Sequence, residues 1–352
     1  MDGTNSERKV RVGVIGLGMG RAHIEGYKRC HNAQVVALCD VDAGRLQDAA
    51  NRYDVRQTYT DAEEMLRNAD VDAVSIALPN HLHSPITLAA LNAGKHVLGE
   101  KPMAMTAAQA QEMVDAAHRL NRKLMIHFNF RFTPHAQILK RYVDSGELGR
   151  IYYAKTGWLR RRGIPGGGGW FTDRERSGGG PLIDLGVHRL DLALWLMGEP
   201  EPVWVMGSTY NEIAARVAAE RGWVYTVEDL ACGLIKLSNG ATIFLEASWA
   251  GNSEKAEDMY TILLGTEGGA EQRNLGEGYE QGLRLYRQRH GAQEDITPKA
   301  FPSDLENPQQ HFVRCILEDK QPDPSGEDGL RVQKILDALY QSAATGQPVH
   351  VA

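Results

Sequence analysis

Three residues in one short stretch have the types and spacing for acid–base chemistry. Asp184, His188 and Asp191 stand at i, i+4 and i+7. Residues 181–197 read as one helix, with Ile183, Val187, Leu190 and Leu194 on an apolar face and the three polar side chains along a neighbouring flank. Imidazole titrates near neutrality, so it suits a step in which a hydroxyl proton is removed while hydride leaves the same carbon. Taken alone, the pattern fits an ordinary Asp–His pair on a solvated helix face better.

A second group has the form of a phosphate-binding turn. Gly16, Gly18 and Gly20, with Met19 before the last, follow the β-branched run Lys9 to Ile15 and precede an amphipathic stretch reaching about Arg29. In a strand, turn and helix of this kind the first glycine permits the tight turn. The second lets a pyrophosphate approach the backbone, and amides at the helix start take the phosphate oxygens. Asp40 closes the next apolar run, where a carboxylate can accept both hydroxyls of a ribose. The spacing departs from GxGxxG, because Arg21 stands where the third glycine belongs and Gly20 lies one place early. The charge of Asp40 would repel a 2′-phosphate and so favours NAD over NADP, with Arg45 nearby as a partial offset.

The elements that must position these groups follow from the rhythm of the chain. Apolar runs at Gln34 to Cys39, Ala73 to Leu78, His96 to Leu98 and Lys123 to Phe128 alternate with helical patterns at Ala43 to Tyr53, Ile86 to Ala93 and Ala107 to Leu120. Strands separated by helices of this length imply a doubly wound parallel sheet over residues 1–130. The later chain opens with a helix from about Pro134 to Ser145 and a strand at Ile151 to Leu159. Alternating runs follow at Leu230 to Leu237, Ala241 to Trp249 and Met259 to Leu264, and two helices close the chain near Gln309 to Glu318 and Gly326 to Ala344. Residues 131–352 therefore read as an α+β domain with an antiparallel sheet. Its closing segment is expected to pack back on the first domain.

Composition narrows the function classes. The 352 residues carry a net charge of −6, which gives no global footprint for nucleic acid or an anionic membrane. No apolar run has the length of a membrane span and the polar N-terminus lacks a signal peptide's apolar core, so a cytoplasmic protein is expected. Cys30, Cys39, Cys232 and Cys315 form no CxxC pair and are expected as reduced, apolar residues. His81 and His83 have no carboxylate or thiol cluster beside them, so no metal site is expected. Pro79, Asn80 and His83 instead follow a strand end, where ligands of such sheets gather. The excess is in glycine, 37 residues, of which Gly163, Gly166 to Gly169 and Gly178 to Gly180 crowd into one stretch with Trp158, Arg160 to Arg162 and Trp170. Aromatic faces and directional donors beside a flexible connection suit a polyhydroxylated ligand, and a substrate lid is expected there.

Several segments together are similar to those of the glucose-fructose oxidoreductase, inositol dehydrogenase and rhizopine-catabolism family (Gfo/Idh/MocA). They are Ala77 to Asn80 with His83, Ala93 to Val97, Glu100-Lys101-Pro102, Ser177 to Leu192, and Glu327 to Val332. The resemblance runs from about residue 9 to 351. It implies an NAD-binding Rossmann domain and a C-terminal domain whose large open, mostly antiparallel sheet makes homodimer or homotetramer contacts. It also implies hydride transfer between nicotinamide and a secondary hydroxyl of a sugar, glycoside or cyclitol. The lysine of its EKP motif falls on Lys101, with a cis bond expected to Pro102. Its aspartate and histidine fall on Asp184 and His188. His188 is then the general base, Lys101 the hydrogen-bond donor to the reacting oxygen, and Asp184 the holder of a neighbouring hydroxyl. Glu100 joins the cofactor residues; Asn129, Arg131, Trp158, Arg160 and Trp170 join the substrate residues. The glycine- and Trp-bearing loop resembles members acting at C3 of glycosides. One alternative is NAD held permanently, in a transhydrogenase or an NAD-dependent glycosidase. Another is a non-catalytic sugar sensor, against which the complete Lys101, Asp184 and His188 set argues.

Overall fold

The five apolar runs of the first third, with one further segment, form six parallel strands in the computed structural model, which describes residues 8–351. They are β1 (Val10–Ile15), β2 (Ala33–Cys39), β3 (Gln57–Tyr59), β4 (Ala73–Ile76), β5 (His96–Gly99) and β6 (Leu124–Ile126), in the order β3-β2-β1-β4-β5-β6. Every residue of β4 is buried, as a strand covered on both faces requires. The helices are α1 (Gly20–Tyr27), α2 (Ala43–Tyr53), α3 (Ala62–Asn68), α4 (His83–Asn92) and α5 (Ala107–Arg119). Strand order reverses between β1 and β4, which places a crevice at their carboxyl ends. The sequence reading passed over β3 and α3. The strand has three residues and no apolar run, and the only local mark of the helix is Asp61, which accepts from the Glu64 amide at 2.7 Å.

The second part of the chain builds a nine-stranded sheet from β7 (Ile151–Arg160), β8 (Pro202–Tyr210), β9 (Leu230–Leu237), β10 (Thr242–Ser248), β11 (Glu257–Gly265), β12 (Gly268–Asn274), β13 (Gln281–Arg289), β14 (Ala292–Ile296) and β15 (Val349–His350). The order is β14-β13-β12-β11-β7-β10-β9-β8-β15. Pairing is antiparallel except between β7 and β10, so the sheet is mixed. Its helices include α6 (Pro134–Asp144), the short α7 (Arg174–Ser177), α8 (Val187–Leu196) and α9 (Ala214–Arg221). Val205, Ile235 and Leu263 lie on the buried face of the sheet, where α8 covers β7, β10 and β11 and Leu339 approaches Gly207 and Gly233 on β8 and β9. Met206, Leu234 and Leu264, on alternate positions, are exposed.

Two compact units result. One comprises the chain up to Ala104, Ala108–His127 and Glu306–Leu330; the other comprises Met105–Ala107, Phe128–Leu305 and the chain from Arg331 on. The returning segment carries α10 (Pro308–Leu317) and the first turn of α11 (Gly326–Thr345) into the first unit. Asn307 and Gln310 form a capping box at the start of α10, and Pro308 occupies the first turn. Among the described residues no helix is long and apolar enough to cross a membrane.

Acid stability has an identifiable source in this segment. Burial opposes ionisation of Glu306, but His311 Nδ1 at 3.0 Å and Arg314 Nε at 2.8 Å hold its pKa at about 2, below the usual 4.5. A depressed folded pKa contributes stability that is fully present above the unfolded value and is lost as pH falls through the folded one. Between about pH 5 and about pH 3 the urea midpoint of the wild type is expected to fall further than that of Glu306→Gln, as followed by circular dichroism.

Candidate active site

Gly16 sits at φ +87°, and a Cβ there would lie 2.3 Å from the Ala77 carbonyl oxygen, so the turn leaving β1 needs glycine twice over. A Cβ on Gly18 would meet nothing within 4 Å, so backbone at that point stands open to a ligand. Helix α1 starts at Gly20 without a side-chain cap on Met19, as suits a phosphate received by the first-turn amides. The Leu17 amide donates to Asp40 Oδ2 at 2.7 Å and the Asp42 amide to Oδ1 at 2.9 Å, so the turn and the Asp40 carboxylate are held together. These features fit a dinucleotide: amides for the pyrophosphate, Asp40 for the adenosine ribose. Arg45 is already spanned between Asp40 at 3.2 Å and Asp42 at 3.6 Å and holds no positive charge in reserve for a 2′-phosphate.

An Asp40→Ser variant tests this assignment. Loss of a charged acceptor costs about 1.5–3 kcal/mol, so kcat/KM for NAD is expected to fall roughly 10- to 150-fold. The NADP to NAD preference rises as Arg45 is released, which steady-state kinetics with each nucleotide would measure.

The ends of β4 and β5 carry the next group. Pro79 caps a short 3₁₀ turn, Asn80–Leu82, that leads into α4 and buries Asn80. His83 is 2% exposed, and its ring nitrogens face the carbonyl oxygens of Leu78 and Pro102, each at 2.7 Å. The ring therefore ties the end of β4 to the Glu100-Lys101-Pro102 segment. It faces backbone, not open space. Burial lowers its pKa against the pull of the two carbonyls. The Lys101–Pro102 bond is cis, as the motif implied.

Glu100 is buried between His23 Nε2 at 2.9 Å and His127 Nδ1 at 2.8 Å, and its other oxygen accepts from the Lys101 amide at 3.1 Å. Burial resists its ionisation, yet His127 and His23 hold its pKa well below the usual carboxylate range. Gln309 Nε2 lies 3.2 Å from His127 Nε2 and fixes the other side of that ring. The three side chains also have the proximity of a metal-ligand set. Imidazole N–H groups donating to one carboxylate account for it. Glu100 thus anchors the backbone at Lys101 from below.

In the second unit the single helix expected over residues 181–197 is two pieces. Leu182–Gly186 is a π-helical turn, and α8 follows from Val187. Such wider turns are frequent at functional sites, because they offset the side chains on either side. Here the offset separates Asp184 from the regular helix, where the Trp249 indole N–H donates to its Oδ2 at 3.0 Å. Nor is α8 amphipathic: every one of its ten residues is buried. His188 lies edge-on to Phe130 with centroids 5.1 Å apart, and 5.9 Å from the Trp158 ring. The Trp158 indole donates to Glu257 at 2.7 Å, which also takes Arg160 Nε at 2.9 Å. Trp158, Arg160 and His188 are therefore brought together, with Tyr279 5.8 Å from Trp158 on the exposed side.

Arg131 has another place. It is 2% exposed, with Nε and Nη2 on Asp191 at 3.0 and 2.6 Å and Nη1 on Glu199 at 2.9 Å. It braces α8 through Asp191 instead of presenting its guanidinium to a ligand, and Asp191 supports the helix from behind His188. Asn129, beside it, is exposed. Trp170 stacks on Phe171 at 3.8 Å in a short 3₁₀ turn.

The glycine stretch is packed rather than free. Cβ atoms on Gly167 and Gly168 would fall 2.7 and 3.1 Å from the Trp223 indole, and Thr172 Oγ1 donates to the Val224 carbonyl at 2.7 Å. Gly180 approaches residue 228 so closely that a Cβ would stand 2.2 Å from its carbonyl oxygen. The buried Glu228 carboxylate takes the Gly180 amide at 3.0 Å, the Leu182 amide at 3.1 Å and the Tyr340 hydroxyl at 2.8 Å. These bonds fix the entry to the π-turn. Glu228, Trp249 and Glu257 had no sequence signal, because each acts on a residue far along the chain that the spacing of motifs does not reveal.

Residues 10–128 match the family described as "Oxidoreductase family, NAD-binding Rossmann fold", and residues 140–351 match its "C-terminal alpha/beta domain". The chain is 34% identical to D-glucoside 3-dehydrogenase of Escherichia coli (strain K12), over 97% of each chain. A solved levoglucosan dehydrogenase in complex with NADH and levoglucosan is similar at a TM-score of 0.85 and 25% identity, over 98% of this chain and 100% of that one. An aldose-aldose oxidoreductase from Caulobacter crescentus, complexed with glycerol, gives 0.84 and 28%, over 97% and 100%. The chain belongs to the Gfo/Idh/MocA oxidoreductase family of NAD-binding sugar and cyclitol enzymes. Its first unit is the NAD-binding Rossmann domain.

Proposed function

We propose that this protein is an NAD-dependent dehydrogenase that oxidises a secondary hydroxyl of a sugar, glycoside or cyclitol. The observation that carries the reading is the placement of His188, at the start of α8 against the Trp158 and Phe130 rings, one turn beyond an Asp184 oriented by Trp249. Aromatic faces suit the apolar side of a pyranose, and the carboxylate and imidazole suit its hydroxyls.

Bound NAD+ supplies the carbon that accepts hydride. His188 takes the hydroxyl proton, the C–H bond gives its electron pair away as hydride, and a C=O bond forms, leaving ketone, NADH and one proton held by the imidazole. Lys101 donates to the reacting oxygen and stabilises its alkoxide character. Asp184 accepts from a neighbouring hydroxyl and orients the ring. Gly16, Gly18, Gly20 and Asp40 hold the nucleotide, and Glu100 and His83 hold the backbone at Lys101 and Pro102. The similarity to D-glucoside 3-dehydrogenase favours C3 of a glycoside as the carbon oxidised. The exposed apolar side chains Met206, Leu234 and Leu264 support assembly of homodimers or homotetramers through the sheet.

A second reading draws on the similarity to the aldose-aldose oxidoreductase: NAD stays bound and is reduced by one sugar and reoxidised by another. The two are separated by assaying freshly purified protein. A dehydrogenase releases NADH in proportion to glycoside consumed and needs added NAD. A recycling enzyme carries nucleotide through purification and turns over without it.

A further inference from the structure

Arg189 brings a positive charge into the interior of the second unit without a carboxylate to meet it. It is 0% exposed, its Nη2 donates to Thr261 Oγ1 at 2.5 Å, and its guanidinium lies 5.5 Å from the Phe130 ring centroid. Among the described residues its Nε and Nη1 have no hydrogen-bond partner. Burial lowers its pKa to about 10, which leaves it charged at neutral pH. The acids on its own helix and on the neighbouring strands are committed elsewhere. Asp191 serves Arg131, and Glu246 and Asp258 serve Tyr260 and Arg273 on the opposite face of the sheet.

The strand register supplies the second half of the arrangement. Thr261 on β11 pairs with Thr156 on β7 and with Gln272 on β12, so three polar side chains form a row across the buried face next to Arg189. Thr156 and Thr261 satisfy each other at 2.8 Å. Gln272 is 0% exposed, and neither its Oε1 nor its Nε2 has a partner. The orphaned hydrogens are one on Nε, two on Nη1 and two on the Gln272 amide, against the single acceptor Oε1. A water molecule could accept two of these hydrogens but would bring two further donors and no charge. A small anion accepts these hydrogens and neutralises the guanidinium, and uncompensated buried charge is the costliest state such a residue can occupy.

We propose that Arg189 and Gln272 form a buried site for one small monovalent inorganic anion of chloride size, beneath the helix turn that carries His188. The site is separate from the nucleotide and hydroxyl chemistry and supports α8 by completing the charge balance under it.

Thermal unfolding of the full chain tests this, at fixed ionic strength, with NAD present to fill the phosphate turn and sodium chloride or bromide replacing sodium methanesulfonate. The wild-type Tm is expected to rise by roughly 2 °C for each tenfold increase in halide above its dissociation constant. Gln272→Glu places a carboxylate beside Arg189 and is expected to keep the fold while abolishing the halide dependence, and Arg189→Met is expected to abolish it too. A crystal grown in bromide should show an anomalous peak at hydrogen-bond distance from Arg189. A wild-type Tm indifferent to halide overturns the proposal. So does an unchanged dependence in Gln272→Glu, or a crystal with no halide at this position. Because Gln272→Glu keeps the guanidinium, it decides the matter even if Arg189→Met does not fold.

Discussion

His188→Ala is expected to lower kcat by about 10²–10⁴-fold, with the dissociation constant for NAD unchanged. In the proposed reaction the imidazole takes the hydroxyl proton, and its ring packs against Phe130 and Trp158. Removing it therefore removes the base without dismantling its surroundings. The residual rate should rise with pH, because deprotonation of the hydroxyl is then left to solvent. Steady-state rates of NADH formation across pH, together with nucleotide titration by fluorescence, check both halves of the expectation. A variant that kept wild-type turnover at every pH would remove His188 from the chemistry.

Lys101→Met is the second large effect, with kcat expected to fall about 10²–10³-fold, the usual loss when one donor to a developing oxyanion is removed. The side chain changes but the backbone at 101 does not, since the amide remains on Glu100 and Pro102 remains tied to His83. KM for the sugar should move much less than kcat, because the hydrogen bond strengthens as the oxygen gains charge. The two variants differ in their pH response. Loss of the ammonium leaves the base in place, so Lys101→Met keeps the shape of the wild-type profile, whereas the residual rate of His188→Ala climbs with pH without reaching a plateau. Loss of KM alone, with kcat intact, would reduce Lys101 to a ground-state binding residue.

Local order was the legible part of this fold. The run ending at Ile15 followed by glycines, and the carboxylate at Asp40, have roles that depend on a few neighbouring residues, and the turn formed as its glycines required. Elements set by distant packing were not legible. Residues 181–197 have the apolar spacing of a regular amphipathic helix, yet Glu228 and Tyr340 reach in from far along the chain and fix a π-turn at its start. Arg131 looked like a ligand-facing cation because nothing local shows that Asp191, 60 residues on, meets it. The glycine cluster reads as flexibility in sequence, but in the structure Trp223 and Glu228 occupy the space that side chains would fill. Glycine records close approach as readily as freedom, and only the partner distinguishes the two.

The reaction itself is the most direct test of the central claim. Purified protein, NAD and a panel of glucosides, free aldoses and cyclitols would be followed by NADH absorbance, with product carbonyl position read by borodeuteride reduction and mass spectrometry. A secondary hydroxyl oxidised with one NADH per ketone, in the wild type and not in His188→Ala, is the predicted result. Tight NAD binding with no NADH and no oxidised sugar from any member of the panel, with or without a second sugar as acceptor, would contradict it.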